Sequence, residues 1–311
     1  FDRFTPWGYF MGAYAFLLTT ASSAPLVSVS QRMVRSHWRR PLARASEMFG
    51  VVGVLSTLMF IPLILMLPAA AGRRTIWFEW PAAPHVTDTL AVVALAVLGL
   101  ALLYVGALPD LAASREYAGP RRRRFLDRIL FIKWRGTERQ WAVQRAALVV
   151  LGALYFLLLI VVHTIIASDF AEALVPGWKD AIFPAFHALS GLQSAVASTV
   201  LALFLLYKFG GYKEYISVDQ FWAASKLLLP LSLLWLYFWF SGFIIYWYGR
   251  QPVEQNIIRT FMFEAYLVPF LLAFFLSFLL PFLIVMWNFV RKSIVGPTIV
   301  ACVILCGALI D

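Results

Sequence analysis

The chain has 311 residues, of which 62% are hydrophobic and only 14% charged, whereas a soluble domain carries about 25% charged residues. Apolar runs of about 20 residues, the length that crosses a hydrocarbon layer, recur along it. Lipid offers the backbone no hydrogen-bond partners, so such runs must be helices or barrel strands, and these are too long and too continuously apolar for strands. The composition therefore excludes a water-soluble globular protein and predicts an all-α polytopic membrane protein.

Eight transmembrane helices are predicted within one integral membrane domain that covers residues 1–311. In chain order they lie at about 7–29, 47–70, 87–108, 142–168, 184–207, 226–248, 266–290 and 294–310, and they are called spans one to eight below. The sequence begins at Phe1 rather than Met and stops at Asp311 beside an apolar run, so we expect both ends to be trimmed.

The positive charge is distributed unevenly between the loops. Twenty of the 26 Lys and Arg residues fall in or beside the loops after spans one, three, five and seven. Lys and Arg concentrate in cytoplasmic loops of membrane proteins. We therefore predict that these loops are cytoplasmic and that both visible ends lie outside. The net charge of +10 is explained by this orientation, and no nucleic acid is expected as a partner.

Two outer segments show the pattern of amphipathic helices lying in the membrane interface. Segment 169–183 places apolar residues at helical spacing among acidic ones, and segment 249–263 is similar. Two cysteines, Cys302 and Cys306, lie four residues apart in span eight. They are too few for an iron–sulfur or zinc site, and we predict buried thiols.

Ionisable groups inside a bilayer are costly, so each is a functional candidate. His163 and His187 lie near the outer ends of spans four and five, and Asp169 and Glu264 lie close to the same surface. A histidine–carboxylate pocket there would supply acceptors for the two protons that a quinol releases on oxidation. The alternatives are interhelical hydrogen bonds with charges that extend to water, and a haem between the two histidines. No other metal site is expected.

A second set of candidates lies at the inner end of span three, where Tyr104, Asp110 and Arg115 occur close together. A proton path from inside could start there and continue through hydroxyl groups such as that of Tyr155. The alternative is that these hydroxyls bond the backbone or a neighbouring helix, as they commonly do in membranes.

Three stretches resemble the NrfD-like, or polysulfide-reductase-type, integral membrane subunits, and especially those of bacterial alternative complex III. The first runs from Asp2-Arg3 to Pro6-Trp7-Gly8. The second is Tyr104-Val-Gly-Ala-Leu-Pro-Asp-Leu-Ala, followed by Arg115. The third, and most specific, is His163-Thr-Ile-Ile-Ala-Ser-Asp-Phe-Ala, running on through Pro-Gly-Trp to Pro184. His163 and Asp169 match family positions.

The resemblance implies two four-helix bundles and a subunit, not catalytic alone, that exchanges electrons between quinone and an extracytoplasmic iron–sulfur subunit. In alternative complex III, menaquinol electrons pass to multihaem cytochrome c subunits and on to a soluble cytochrome or copper protein. Haem and iron–sulfur clusters are then expected on partner subunits, with no covalently bound cofactor on this chain. Two paralogous membrane subunits lie side by side there: one binds quinol and the other is thought to contribute a proton pathway.

Two departures bear on which paralogue the chain resembles. Quinol-binding members carry an Asp/His-x-Gly-Arg-Pro motif after span two, where this chain reads Leu-Pro-Ala-Ala-Ala-Gly-Arg-Arg over residues 67–74, and a histidine where it has Lys179. Both favour the proton-pathway paralogue. Two further hypotheses are a secondary transporter, which should show broken helices around a charged midplane site, and a structural membrane anchor.

Overall fold

The computed structural model describes residues 4–34, 39–67, 83–130, 132–175 and 177–311, and every regular element in these ranges is a helix. Seven helical segments are long and apolar enough to cross a bilayer, and an eighth is apolar but has only 16 residues. The predicted all-α polytopic membrane fold is therefore confirmed. The crossing segments are Thr5–Val34, Arg40–Leu65, His85–Glu116, Glu138–Leu174, Phe183–Phe209, Val218–Gly249, Leu267–Val285 and the shorter Val295–Ile310.

The α-helices are numbered in chain order. They are α1 (Phe4–Leu17), α2 (Pro25–Val34), α3 (Arg39–Glu47), α4 (Val52–Leu65), α5 (His85–Glu116), α6 (Pro120–Ile129), α7 (Glu138–Phe170), α8 (Phe183–Phe209), α9 (Val218–Gly249), α10 (Pro252–Met262), α11 (Leu267–Phe274), α12 (Leu280–Val285), α13 (Asn288–Arg291) and α14 (Val295–Ile310). A short π-helix, Leu18–Ser22, follows α1 within span one and precedes α2. A second one, Phe275–Leu279, joins α11 to α12 within span seven.

Two of the predicted segments differ from the structure and one agrees with it. Segment 169–183 is not an amphipathic helix: after α7 only a 3₁₀ turn, Glu172–Leu174, forms. Gly177 has a φ of 76°, in the left-handed region that a helix cannot contain. Segment 249–263 does contain a helix, α10. Span seven ends early because Trp287 is extended, with φ −80° and ψ 123°.

Three parts of the sequence used above lie outside the described residues. They are residues 1–3, residues 68–82 and Pro176. The second range includes most of the stretch that was compared with the motif after span two. The cysteine prediction was wrong, because both Cys302 and Cys306 are exposed on the surface of α14. A helix in lipid can direct such small side chains outward without cost, since the surroundings are apolar on both sides.

The helices pack around two hydrophobic cores. Spans one to four enclose the first, which contains Tyr14, Phe60 and Leu159. Spans five to eight enclose most of the second, which contains Leu228 and Val300. The most buried span is α8, which packs against α7, α9 and α14. The two halves therefore meet along α8, and a side chain on its α7 face lies between them.

Span one is interrupted near its middle, and this interruption positions polar groups inside the protein. Pro25 has no N–H to donate to the carbonyl four residues earlier, so a regular helix cannot continue through it. The chain instead forms the π-helix Leu18–Ser22 and a turn before α2. The carbonyl of Ala21, four residues before Pro25, accepts from the N–H of Ala24 instead. Beside it the Tyr155 hydroxyl donates to the carbonyl of Ser22, and the hydroxyls of Ser22 and Ser56 are 2.8 Å apart.

One end of the bundle is held by a buried carboxylate, and we call it the arginine-rich end. Glu47 is only 2% exposed and pairs with Arg32 and with Arg44, the latter at 2.9 Å. Ser28 donates to the same carboxylate at 2.5 Å. A second nitrogen of Arg44 contacts Asp110 at 2.9 Å. Because a buried charge without partners is strongly destabilising, this cluster fixes spans one, two and three against one another.

The close approach of span three to Glu47 predicts the effect of adding one methyl group. A Cβ at Gly106 would lie 2.6 Å from Oε2 of Glu47 and 3.0 Å from Arg44, so Gly106→Ala must displace the ion-pair cluster. We expect a loss of about 1–3 kcal/mol in the free energy of unfolding, measured by thermal or denaturant unfolding in detergent. The matched control is Gly8→Ala on α1, which meets no atom within 4 Å and should be neutral or stabilising because alanine favours helix. Equal stability of the two variants would contradict the packing argument.

Candidate functional site

Two histidines from the two halves of the protein meet at the end opposite the arginine-rich one. His163 on α7 is fully buried, and its Nδ1 lies 3.1 Å from Nδ1 of His187 on α8. Its Nε2 lies 3.1 Å from the hydroxyl of Ser23, in the interruption of span one. Gly191 leaves space for the ring, since a Cβ there would be 2.7 Å from it. The histidine pair is thus held by three spans.

The hydrogen bonds fix where the protons of this pair lie. The Ser23 hydroxyl is 2.8 Å from the carbonyl of Leu18, and a carbonyl can only accept, so Ser23 is the donor there. The hydroxyl oxygen must then accept from Nε2–H of His163. This leaves Nδ1 of neutral His163 as an acceptor for Nδ1–H of His187. Nε2 of His187 is consequently unprotonated, and it has no hydrogen-bond partner among the described residues.

The contact between the rings does not fit the haem considered for this pair. An iron held by two imidazoles, at about 2 Å from each nitrogen, requires the ligating nitrogens about 4 Å apart on opposite faces of a porphyrin. Here the ring centroids are 4.7 Å apart and the facing nitrogens share a hydrogen bond. Elsewhere in the described ranges, no group of three or more His, Cys, Asp and Glu residues is placed to hold a metal ion.

A cavity of about 440 Å³ opens beside the histidine pair and is lined by His187. Aromatic side chains form much of its wall, among them Phe186, Trp239 and Phe243. Its volume lies within the range of small-molecule sites, which are mostly apolar with a few placed polar groups. The cavity is bounded by residues of spans one and four to eight and of α10, so both halves of the protein contribute to it.

A second polar group faces this cavity from the α9 side. Tyr246 lines the cavity together with Asp180 and Trp178, and its hydroxyl donates to Asp180 at 2.5 Å. The indole N–H of Trp178 donates to the Tyr246 oxygen at 2.8 Å. The phenol oxygen therefore receives one hydrogen bond and passes its own proton toward a carboxylate, so the cavity carries a proton acceptor on each of two walls.

Two of the predicted outer candidates lie outside this cavity. Asp169, at the end of α7, interacts through its carboxyl with Asp88 at the start of α5. Glu264 forms a half-exposed ion pair with Arg259 at 2.6 Å. The sequence prediction thus placed His163 and His187 together correctly, but grouped them with two carboxylates that do not line the cavity.

The inner candidates each have a structural partner. The Tyr104 hydroxyl donates to the carbonyl of Ile129 at 3.1 Å. Arg115 pairs with Asp127 at 2.5 Å, and Asp110 pairs with Arg44. These contacts join α6 to α5 and α5 to α3, and the contact of Tyr104 is of the kind considered from the sequence for hydroxyl groups.

Sequence reasoning missed Ser23, Asp180 and Tyr246. Ser23 lies in an apolar run where serines are common, although the Pro25 that follows it marks a break in the helix. Tyr246 lies at a span end, where tyrosine is usually an interfacial anchor. The short side-chain contact with Asp180 depends on how α9 packs against the segment after α7, and no local pattern encodes that packing.

Comparison of the chain with models of protein families found no match, and comparison with characterised proteins found no significant similarity.

The proton positions of the histidine pair can be tested directly, because the chain has only four histidines. We expect ¹⁵N NMR of histidine-labelled protein to show His163 as the neutral Nε2–H tautomer and His187 as the neutral Nδ1–H tautomer near neutral pH. Ser23→Ala should shift the His163 signal, while Ser30→Ala, which changes an exposed serine of the following helix α2, should not. Finding His187 in the Nε2–H form would contradict the assignment.

Proposed function

We propose that the chain is an integral membrane subunit of a quinol-oxidising electron-transfer complex of the alternative complex III type, and that its cavity binds the quinol ring. One observation supports this above all others. An aromatic-lined cavity near one membrane surface presents His187 on one wall and the Tyr246–Asp180 pair on another. Menaquinol has an apolar ring with two hydroxyls, so the cavity matches both its shape and its need for two acceptors.

The chemistry requires that two protons leave as two electrons leave. In the proposal, one quinol hydroxyl gives its proton to Nε2 of His187, the unprotonated nitrogen of the pair. The other hydroxyl donates to the oxygen of Tyr246, whose own proton moves to Asp180. The product is a quinone with two electrons removed. The electrons go to a redox centre on another subunit, since the resemblance assigns iron–sulfur and haem groups to partners.

The proposed setting follows from the resemblance and from the charge pattern. The arginine-rich end faces the cytoplasm of a bacterial cell, and the cavity end faces outward with both visible chain ends. The partners are an extracytoplasmic iron–sulfur subunit, multihaem cytochrome c subunits and a paralogous membrane subunit. Final electron acceptors would be a soluble cytochrome or copper protein. Many large apolar side chains on the span surfaces are exposed, as contact with lipid or with such membrane partners requires.

A proton pathway through the chain is a second role that the same proposal covers. It is the role of the paralogue that is favoured where this chain departs from the motifs of the quinol-binding members. The buried hydroxyls of Ser22, Ser56 and Tyr155 lie between the histidine pair and the inner half of the bundle. The hydroxyl of Tyr14 is buried without a partner among the described residues, beside a cavity of about 10 Å³. That volume is the size of one water molecule, so water can extend the hydroxyl chain.

We expect His187→Gln to lower quinol oxidation by the assembled complex about 100-fold, the typical contribution of a general base. Turnover with a menaquinol analogue is measured in the assembly with which the chain co-purifies. The matched control is His85→Gln at the start of α5, a histidine that does not line the cavity, and it should retain activity. Unchanged turnover in His187→Gln would defeat the quinol site, and purification as a solitary bundle that moves a solute would favour the transporter alternative.

The tyrosine wall is tested by a pair of substitutions two residues apart. Tyr246→Phe removes the hydroxyl that contacts Asp180, and we expect about a ten-fold or greater loss of kcat/KM for quinol, because a buried donor and acceptor lose their partner. Tyr248→Phe changes a side chain that is 79% exposed and should leave turnover unchanged. Equal effects of the two variants on turnover would exclude a role for Tyr246 at the site.

A further inference from the structure

Two lysine side chains lie against one indole ring at the arginine-rich end of the second core, away from the cavity. The Nζ of Lys226 lies 3.4 Å from the centre of the Trp222 ring, and the Nζ of Lys292 lies 5.0 Å from the same centre. Both ammonium groups therefore lie close to the same indole ring. Arg291 precedes Lys292 at the end of α13.

These cations lack a counter-charge within the described part of the chain. No described carboxylate forms an ion pair with Lys226, Arg291 or Lys292, whereas Glu47, Asp110, Asp127 and Glu264 are each paired elsewhere. The indole Nε1 of Trp222 is also buried with no hydrogen-bond partner among the described residues, and so is Nε of Arg291, the residue before Lys292. Like charges held close together, with donors left open beside them, indicate an anion-binding site.

The surroundings of the cluster identify the kind of anion. Met286, Trp287 and Phe289, which immediately precede the cations, are all exposed, Phe289 to 73%. This exposed apolar surface continues from the end of a transmembrane helix, where it lies at the level of the lipid headgroups and the first acyl carbons. A free anion would gain nothing from that surface, whereas a phospholipid can place its phosphate at the cations and its chains along the aromatic side chains.

We propose that Lys226, Arg291 and Lys292, with the indole of Trp222, bind the phosphate of an anionic phospholipid at the arginine-rich end of the bundle. Clusters of Lys and Arg beside transmembrane helices attract anionic headgroups in this way. The site uses residues from α9 and α13 and Lys292, which directly follows α13, so a bound lipid would hold the start of span six against the segment that joins spans seven and eight.

The first test uses the unmodified protein in the assembly in which it purifies. It is reconstituted into nanodiscs of phosphatidylcholine alone or of phosphatidylcholine mixed with phosphatidylglycerol, and thermal unfolding and lipid retention by native mass spectrometry are compared. We expect phosphatidylglycerol to raise the unfolding temperature and to remain bound. No preference between the two lipids would overturn the proposal. Equal stabilisation by inorganic phosphate added to the phosphatidylcholine discs would also overturn it, because the site would then be one for a free anion.

The second test locates the site. Lys226→Gln combined with Lys292→Gln should weaken phosphatidylglycerol binding about ten-fold or more, since each basic residue near the surface contributes to headgroup attraction. The control is Lys208→Gln combined with Lys213→Gln, which removes the same charge from exposed positions at the same end of the bundle. Equal losses in the two double variants would show general charge attraction and would overturn a defined site.

Discussion

Backbone carbonyls inside a bilayer must find donors within the protein, and Pro25 withholds the donor that the first span needs. The chain forms a π-helix and a turn there, and polar groups of this interruption bond to other spans. Tyr155 donates to the carbonyl of Ser22, and Ser23 contacts His163. The second π-helix shows the same principle, because Gln193 on α8 donates to the carbonyl of Ser277 at 2.8 Å. The polar interior thus follows from two local failures of regular helix.

The histidine pair depends on this arrangement for its chemistry. Ser23 directs its proton to a backbone carbonyl and so obliges His163 to donate to it. His163 in turn accepts from His187, which leaves an unprotonated nitrogen on the residue that lines the cavity. Such second-layer contacts set the tautomer of a histidine in many active sites. A single proline in span one therefore influences which nitrogen is open to a ligand bound between the two halves of the protein.

The two ends of the bundle use their polar residues differently. At the arginine-rich end, Glu47 joins Arg32 and Arg44, and Arg115 joins Asp127, so charge pairs fasten helices to one another. At the opposite end, His187 and the Tyr246–Asp180 pair line an open cavity. Rigid packing at one end and an open cavity at the other is a sound arrangement for a site that must keep its geometry while a ligand enters.

The sequence by itself determined the spans, the uneven charge and the pairing of His163 with His187. The first two depend on local composition, and the third on the fact that consecutive antiparallel helices place the end of one beside the start of the next. The tertiary structure alone decided that Tyr246 and Asp180, and not Asp169 or Glu264, share the cavity with His187. It also decided that Tyr104 bonds to the carbonyl of Ile129 and that Asp110 pairs with Arg44, so that both residues join neighbouring helices. Which face a residue presents depends on helix rotation and on the path of the loops, and in a uniformly apolar span no periodic pattern of polar residues records that rotation.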